Sequence, residues 1–464
     1  VSLEAPQGST VRIIRILLVV LGALVSAYAL SDHPLYGGEP GFGGTQRLVF
    51  LAGLGLAGCA LLPQGIASRV LLLGIGGLAA LGVAEMAGEH LLGPRLRPVF
   101  RPDDRLVFEL IPDRSSAMTR RAANGGETIV HRINSAGFRG DELRTDGEAL
   151  RIAVYGDSFI HAAYSPDAET FAIQLQALLT ERLGRDVEVV NAGVSSYGPD
   201  QILLKLGDEL PTLRPRLAIV AVFAGNDYGD LMRNKMFRLD EAGELVSSDW
   251  TLDPKVRIRF ELSQRESILK RAVRELRNAR HSARSSEGGA SASTLTDMDF
   301  LLEEAQREYR SFVVERDPRI TNTHVDSYSA DVSLQPGSES ARYKIALMAK
   351  VLERIRDVSR EHDIPLVFLF IPHPVDVTGG GWDSWAIDRT RFPDYDGRNQ
   401  IAPLESAARA LGVPHVSLFD AYRSRDARTL YFRDGDDHWN AAGQRLAAET
   451  MADALLSHGW RPGE

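Results

Sequence analysis

Arg151-Ile152-Ala153-Val154-Tyr155-Gly156-Asp157-Ser158-Phe159-Ile160 decides the reading of this chain: an apolar run ends on a glycine, and a serine stands three residues beyond Tyr155, at the mouth of the next helical pattern. A run of that length without alternation suits a strand buried on both faces. Four more such runs follow, Val187 to Val190, Leu217 to Phe223, Leu366 to Ile371 and His415 to Leu418. Helical patterns separate them over Glu169 to Leu183, Asp200 to Leu210, Ala341 to His362, Ile401 to Leu411 and Ala441 to Ser457. The alternation predicts an α/β fold, a three-layer α/β/α domain on a parallel sheet of about five strands. In such sheets ligands bind beyond the carboxyl ends of the strands, where Ser158 falls.

Three further blocks lie at corresponding places: Asn191-Ala192-Gly193, Gly225-Asn226-Asp227 and Asp436-Asp437-His438-Trp439. A serine hydroxyl is a weak nucleophile until a base takes its proton, and His438, on a loop before the last helix, is the candidate base. Asn440 is placed to cap that helix. In an extended segment side chains two apart share a face, so Asp436 aligns with His438 and would orient its ring. Asp434 and Asp437 remain rival carboxylates. Backbone N–H groups of Ser158 and Gly193 with the Asn226 carboxamide would form a three-donor oxyanion hole.

The four blocks in this order resemble the SGNH/GDSL hydrolases, esterases and acyltransferases, over roughly residues 130 to 230 and 340 to 460. The commonest pattern of that family is Asp-x-x-His, and Gly435 occupies the position three before His438. The spacing instead resembles the Asp-x-His-Trp variant of polysaccharide O-acetylation proteins. The resemblance implies an acyl-enzyme on Ser158, an acylated cell-envelope glycan or lipid as substrate, no cofactor and, for a transferase, a separate integral-membrane acyltransferase as partner. A non-catalytic glycan-binding or scaffold protein on the same fold is the alternative. Ile133 to Gly140 resembles a turn that precedes the first block in membrane-tethered members.

A length of 464 residues allows two or three domains. A net charge of −9 with scattered basic residues argues against a nucleic-acid partner. The single cysteine, Cys59, excludes disulfides and cysteine-type zinc sites. No H-E-x-x-H pattern or spaced acidic loop suggests a metal. Gly53-Leu54-Gly55-Leu56-Ala57-Gly58 matches G-x-G-x-x-G, but in a charge-free apolar run with no acidic residue at ribose distance.

Apolar runs Ile16 to Leu30, Leu48 to Ser68 and Val70 to Ala84 predict a transmembrane region with about three helices over residues 1–93. Small residues at four-residue spacing, Gly53 with Ala57 and Gly76 with Ala80, would permit close helix contact. Glu85 and Glu89 would sit at the membrane interface or face a partner helix. Arg12 and Arg15 favour a cytoplasmic N-terminus, which places the large domain outside a bacterial inner membrane. A signal peptide cleaved near Ala27-Tyr28-Ala29 gives the same side, whereas Arg95, Arg97, Arg101 and Arg105 favour the opposite one. Residues 94–150 read as a connector with a small hairpin from Leu106 to Ile111 and Thr128 to Ile133. Residues 151–464 read as the catalytic domain, interrupted by an insertion over about 228–340 that is a lid, a substrate wall or a solvated decoration. Within it Glu261 to Arg280 is helix-like, and Ser282 to Thr294 is too poor in apolar groups to fold alone. His161 and His373 are further candidates at the same sheet edge.

Overall fold

The computed structural model describes residues 7–31, 42–145, 147, 149–287, 296–321 and 327–457. Two compact units emerge, Val1–Leu96 with Arg257–Glu275, and Arg97–Val256 with Leu276–Glu464.

The first unit holds three apolar helices, α1 (Gln7–Ala29), α2 (Gly44–Gly58) and α3 (Gln64–Leu96). The segments Ser9–Ala29 and Gln64–Gly93 are long and apolar enough to cross a membrane. At 15 residues α2 is not, because the apolar run from Leu48 breaks at Leu62-Pro63 and its end becomes the start of α3. Small residues let α1 and α2 touch at backbone distance: a Cβ added to Gly22 would come within 2.5 Å of the Gly53 carbonyl oxygen. Gly76 has open space instead, so the contact expected at Gly76 and Ala80 does not form among the described residues. Glu85 faces a partner helix, accepting from Ser267 Oγ (2.7 Å) and the Ile268 N–H (2.6 Å) at the start of α9 (Ile268–Glu287). The Glu261 to Arg280 pattern thus resolves into α8 (Pro254–Arg265) and α9. That second helix runs to Glu287, so the Ser/Ala-rich stretch is helical in its first residues; residues 288–295 lie outside those described.

The second unit begins with two antiparallel pairs, β1 (Phe100–Asp103) with β2 (Val107–Leu110), and β3 (Arg114–Thr119) with β4 (Thr128–Ile133). The single expected hairpin is therefore two, since the segments around Leu106 and Thr128 pair with polar strands that carry no alternation. The main sheet contains β5 (Leu150–Tyr155), β6 (Val187–Asn191), β7 (Leu217–Phe223), β8 (Leu366–Ile371) and β9 (His415–Ser417) in the order β9-β8-β7-β5-β6. All pairs are parallel. Right-handed crossovers then put α5 (Phe171–Leu183) on one face and α6 (Pro199–Leu213) on the other. The helix α10 (Glu339–Glu361) packs beside α6, with α11 (Ile401–Leu411) next to it, and α12 (Ala441–Ser457) packs on α5. Because β5 has the second strand on one side and the third on the other, the chain reverses direction at its carboxyl end. A crevice at such a switch point is where doubly wound sheets bind ligands.

Candidate active site

Ser158 leaves the end of β5 on a corner that only glycine permits. A Cβ on Gly156 would collide with Ile160 and come within 3.2 Å of Ala221 on β7. Asp157 caps the short helix α4 (Ser158–His161) by accepting from the Phe159 N–H (2.9 Å). The Ser158 N–H donates to no acceptor among the described residues, and Ser158 is half-buried at the mouth of the crevice.

His438 arrives from 280 residues away and stands 2.7 Å from Ser158 Oγ through Nε2. Its Nδ1 lies 2.8 Å from Asp436 Oδ1, which also accepts from the His438 N–H (3.1 Å). A carboxylate on Nδ1 fixes the tautomer that leaves Nε2 free to accept the serine proton. Asp437 stands farther off, with Oδ1 at 3.7 Å from Nδ1. Its Oδ2 is 3.3 Å from Nε2 of buried His373, close but not aligned for a hydrogen bond. Burial opposes ionisation of Asp437, and the His373 and His438 rings outweigh it, so its pKa is lowered. Asp434 is exposed and pairs with Arg121 at 3.8 Å, away from His438. The structure therefore puts Asp436 in contact with the ring, Asp437 behind it and Asp434 outside.

The loop that carries His438 is held from several sides. Trp439 is buried against Phe159 and Phe171, and its Nε1 donates to the Phe159 carbonyl (3.0 Å). Asn440 Oδ1 accepts from the Ala442 and Gly443 N–H groups and caps α12. The connector hairpin reaches the loop as well: Asn124 exchanges two hydrogen bonds with the Arg433 backbone, at 2.9 and 2.8 Å.

Gly193 is buried in the loop after β6. Its N–H donates to Asn191 Oδ1 (3.1 Å), and a Cβ there would come within 2.8 Å of Ile160 Cβ. Gly193 lets the loop pack under α4, with its N–H taken by Asn191 Oδ1. Two residues on, Ser195 lines the cavity beside Ser158, and its N–H has no acceptor among the described residues. Asn226 is buried beyond the carboxyl end of β7, as the residue just before α7 (Asp227–Asn234). Neighbouring Asp227 accepts from the Phe223 N–H (2.8 Å), and burial followed by nearby Asp157 and Asp230 pushes its pKa far above the carboxylate range.

Arg139 is not singled out by sequence reasoning, and Asn191 is read only as a residue at the sheet edge, yet both brace the serine corner. Asn191 Nδ2 donates to the Ile160 carbonyl (2.7 Å). Buried Arg139 donates to the carbonyls of His161, Ala162 and Ser165 and pairs with Asp167 at 2.9 Å. The only sequence signal for Arg139 is its place at the end of the turn from Ile133 to Gly140. His161, half of that clamp, is itself buried, with Nδ1 2.6 Å from Ser195 Oγ.

The cavity against Ser158 measures about 170 Å³ and is lined mainly by apolar groups, among them Met118, Ala162, Ala163, Phe432 and Trp439. Among the described residues, Asp436, Asp437 and His438 form the one acidic-histidine group whose ligand atoms lie close enough for a metal ion. The ring nitrogens of His438 already face Ser158 and Asp436, which fits a proton relay better than metal ligation.

Serine, imidazole and carboxylate in this order define the class of serine ester hydrolases. The chain belongs to the GDSL-like Lipase/Acylhydrolase family, which it matches over residues 154–446. No curated protein matches it. Among solved structures it is similar to a lipase/acylhydrolase from Enterococcus faecalis (12% identity, 68% of this chain and 98% of that one, TM-score 0.32). It is also similar to the psychrotrophic esterase EstA from Pseudoalteromonas sp. (11% identity, 67% and 100%, TM-score 0.32). A third is the acetyl xylan esterase AlAXEase (12% identity, 66% and 100%, TM-score 0.32).

Proposed function

We propose that this protein is a membrane-anchored serine esterase or O-acyltransferase that works through an acyl-enzyme on Ser158. The observation that carries the reading is the 2.7 Å approach of His438 Nε2 to Ser158 Oγ, with Asp436 at 2.8 Å on the far side of the ring. His438 takes the hydroxyl proton as Ser158 Oγ attacks the ester carbonyl. Asp436 holds the ring and stabilises its cation. The Ser158 N–H, the Asn226 carboxamide and the Ser195 N–H, in place of Gly193, receive the developing oxyanion. Collapse of the tetrahedral adduct expels the alcohol, which takes the proton from His438. Water or a sugar hydroxyl then accepts the acyl group by the reverse sequence.

The two long apolar helices support anchoring in a bilayer; with Arg12 and Arg15 holding the N-terminus in the cytoplasm, an extracytoplasmic site on an envelope glycan or lipid requires the shorter apolar helix Gln46–Leu61 to complete a third crossing. A fluorophosphonate probe on the detergent-solubilised protein tests the chemistry. Labelling of the wild type should vanish in Ser158→Ala and in His438→Ala. A wild type that resists the probe would remove the enzyme reading. Acyl product on an added glycan separates transferase from hydrolase, which releases only free acid.

A further inference from the structure

Helix α3 is 33 residues long, about 50 Å, whereas about 20 residues suffice to cross a ~30 Å hydrocarbon core. A span that begins at Gln64 ends just before Glu85, and from there α3 carries Glu85, Glu89, His90 and Arg95. The charged part of α3 is where α9 attaches. Glu85 accepts from Ser267 Oγ, the Ile268 N–H and the Leu269 N–H (3.3 Å). Gly88 admits Ile268 so closely that a Cβ would stand 2.8 Å from its Cγ2, and Arg271 donates to the Leu96 carbonyl (2.8 Å). The start of α9 is thus pinned at the level where α3 would leave the hydrocarbon.

Farther along that helix an apolar face is exposed among the described residues. At 100° per residue Leu269, Ala272, Val273 and Leu276 fall within one arc of about 100°, and Val273 and Leu276 are 54% and 62% exposed. Lys270, Arg274 and Arg277 form the flank beside it. Lys270 and Arg274 pair with Glu266, and Arg277 makes no ion pair among the described residues. Between Ile268 and Arg277 four basic side chains stand against Glu275 alone, in a chain of net charge −9. An apolar face with a basic flank, fixed at the end of a membrane span, matches an interfacial helix.

We infer that the α9 segment of the insertion lies on the membrane surface, with Val273 and Leu276 in the acyl boundary and Lys270, Arg274 and Arg277 on anionic lipid headgroups. This inference rests on the membrane anchoring proposed above. It makes this part of the insertion a second membrane contact of the chain.

The test is spin labelling of the full chain, in a Cys59→Ala background, reconstituted in vesicles of phosphatidylcholine and phosphatidylglycerol. Labels at Val273→Cys and Leu276→Cys should collide with oxygen several-fold more than with a water-soluble nickel chelate. A label at Arg277→Cys should favour nickel, and Leu78→Cys in α3 serves as the reference for a lipid-embedded site. In vesicles of phosphatidylcholine alone the oxygen preference at 273 and 276 should fall. Nickel access at 273 and 276 with Leu78→Cys still lipid-embedded overturns the interfacial helix and leaves the anchor standing. Nickel access at all three removes both. Labels shielded from both reagents would place a protein on this face, and insensitivity to lipid charge would remove the headgroup assignment.

Discussion

The main sheet and the N-terminal helices are built from the same apolar residues and treat them in opposite ways. In β7 the side chains of Ile219, Val220 and Val222 are fully buried, sealed by helices on both faces of the sheet. In α3 Leu72, Leu73 and Leu78 are 68%, 75% and 67% exposed. Water would penalise that much bare apolar surface by roughly 25 cal/mol per Å². The sheet carries its own nonaqueous surroundings, and the helices need theirs supplied. That contrast separates the unit that holds the serine–imidazole pair from the unit whose helices are proposed to anchor it.

The largest effect expected from breaking the comparison is a buried charge in the sheet. Val220→Asp should unfold the second unit and abolish fluorophosphonate labelling, because an unpaired carboxylate there has no partner. Leu78→Asp should leave labelling of the solubilised protein intact while carbonate extraction releases more of it from membranes. Labelling lost equally in both would erase the distinction.

Within the catalytic unit the two carboxylates beside His438 sharpen it further. Asp436→Asn should lower kcat by about 10³–10⁴-fold, since the wrong ring tautomer then faces Ser158. Asp437→Asn, which removes a carboxylate 3.7 Å from Nδ1 of His438, should cost only about 1 kcal/mol, or about fivefold. Equal losses in an ester-hydrolysis assay would deny Asp436 its special place. A smaller effect on kcat is expected from Asn124→Ala, because its bonds hold the loop and not the ring. Loss of its two bonds to Arg433 should loosen the His438 loop at about 1 kcal/mol per bond, lowering kcat with KM little changed.

The last effect concerns stability and leaves the chemistry at Ser158 alone. Burial pushes Asp376 up to about 8, against hydrogen bonds from Tyr328 and Tyr395. A folded state that keeps a proton the unfolded chain has lost becomes less stable as pH rises from about 4 to about 8. Asp376→Asn should flatten that decline, read as a Tm difference from the wild type that grows between pH 5 and pH 8. Parallel Tm curves for the two proteins would show that Asp376 does not titrate in that window.

Much of the α/β unit was legible along the chain. Every strand of the main sheet appears as an apolar run, and each connecting helix as a periodic one, because burial on both faces leaves a local pattern. Ser158, Asn226 and His438 could be singled out as candidates for the same reason, since each follows a strand or precedes a helix whose boundaries are local. The role expected for Gly193 reaches past that locality. Whether an N–H points at a ligand depends on its acceptor, and here Asn191 Oδ1 takes it. At Pro63 composition reads one long apolar run across a break in the backbone.

By itself the sequence determined the order of strands and helices, the four blocks and the apolar character of the first helices, all of which express interactions between near neighbours. The tertiary structure alone decided which of three aspartates meets the imidazole and which backbone groups remain open beside the serine. It also decided that a glutamate in an apolar helix caps the start of α9. Each of those outcomes is a directed contact between groups from separate elements, and direction in space is not carried by any local periodicity.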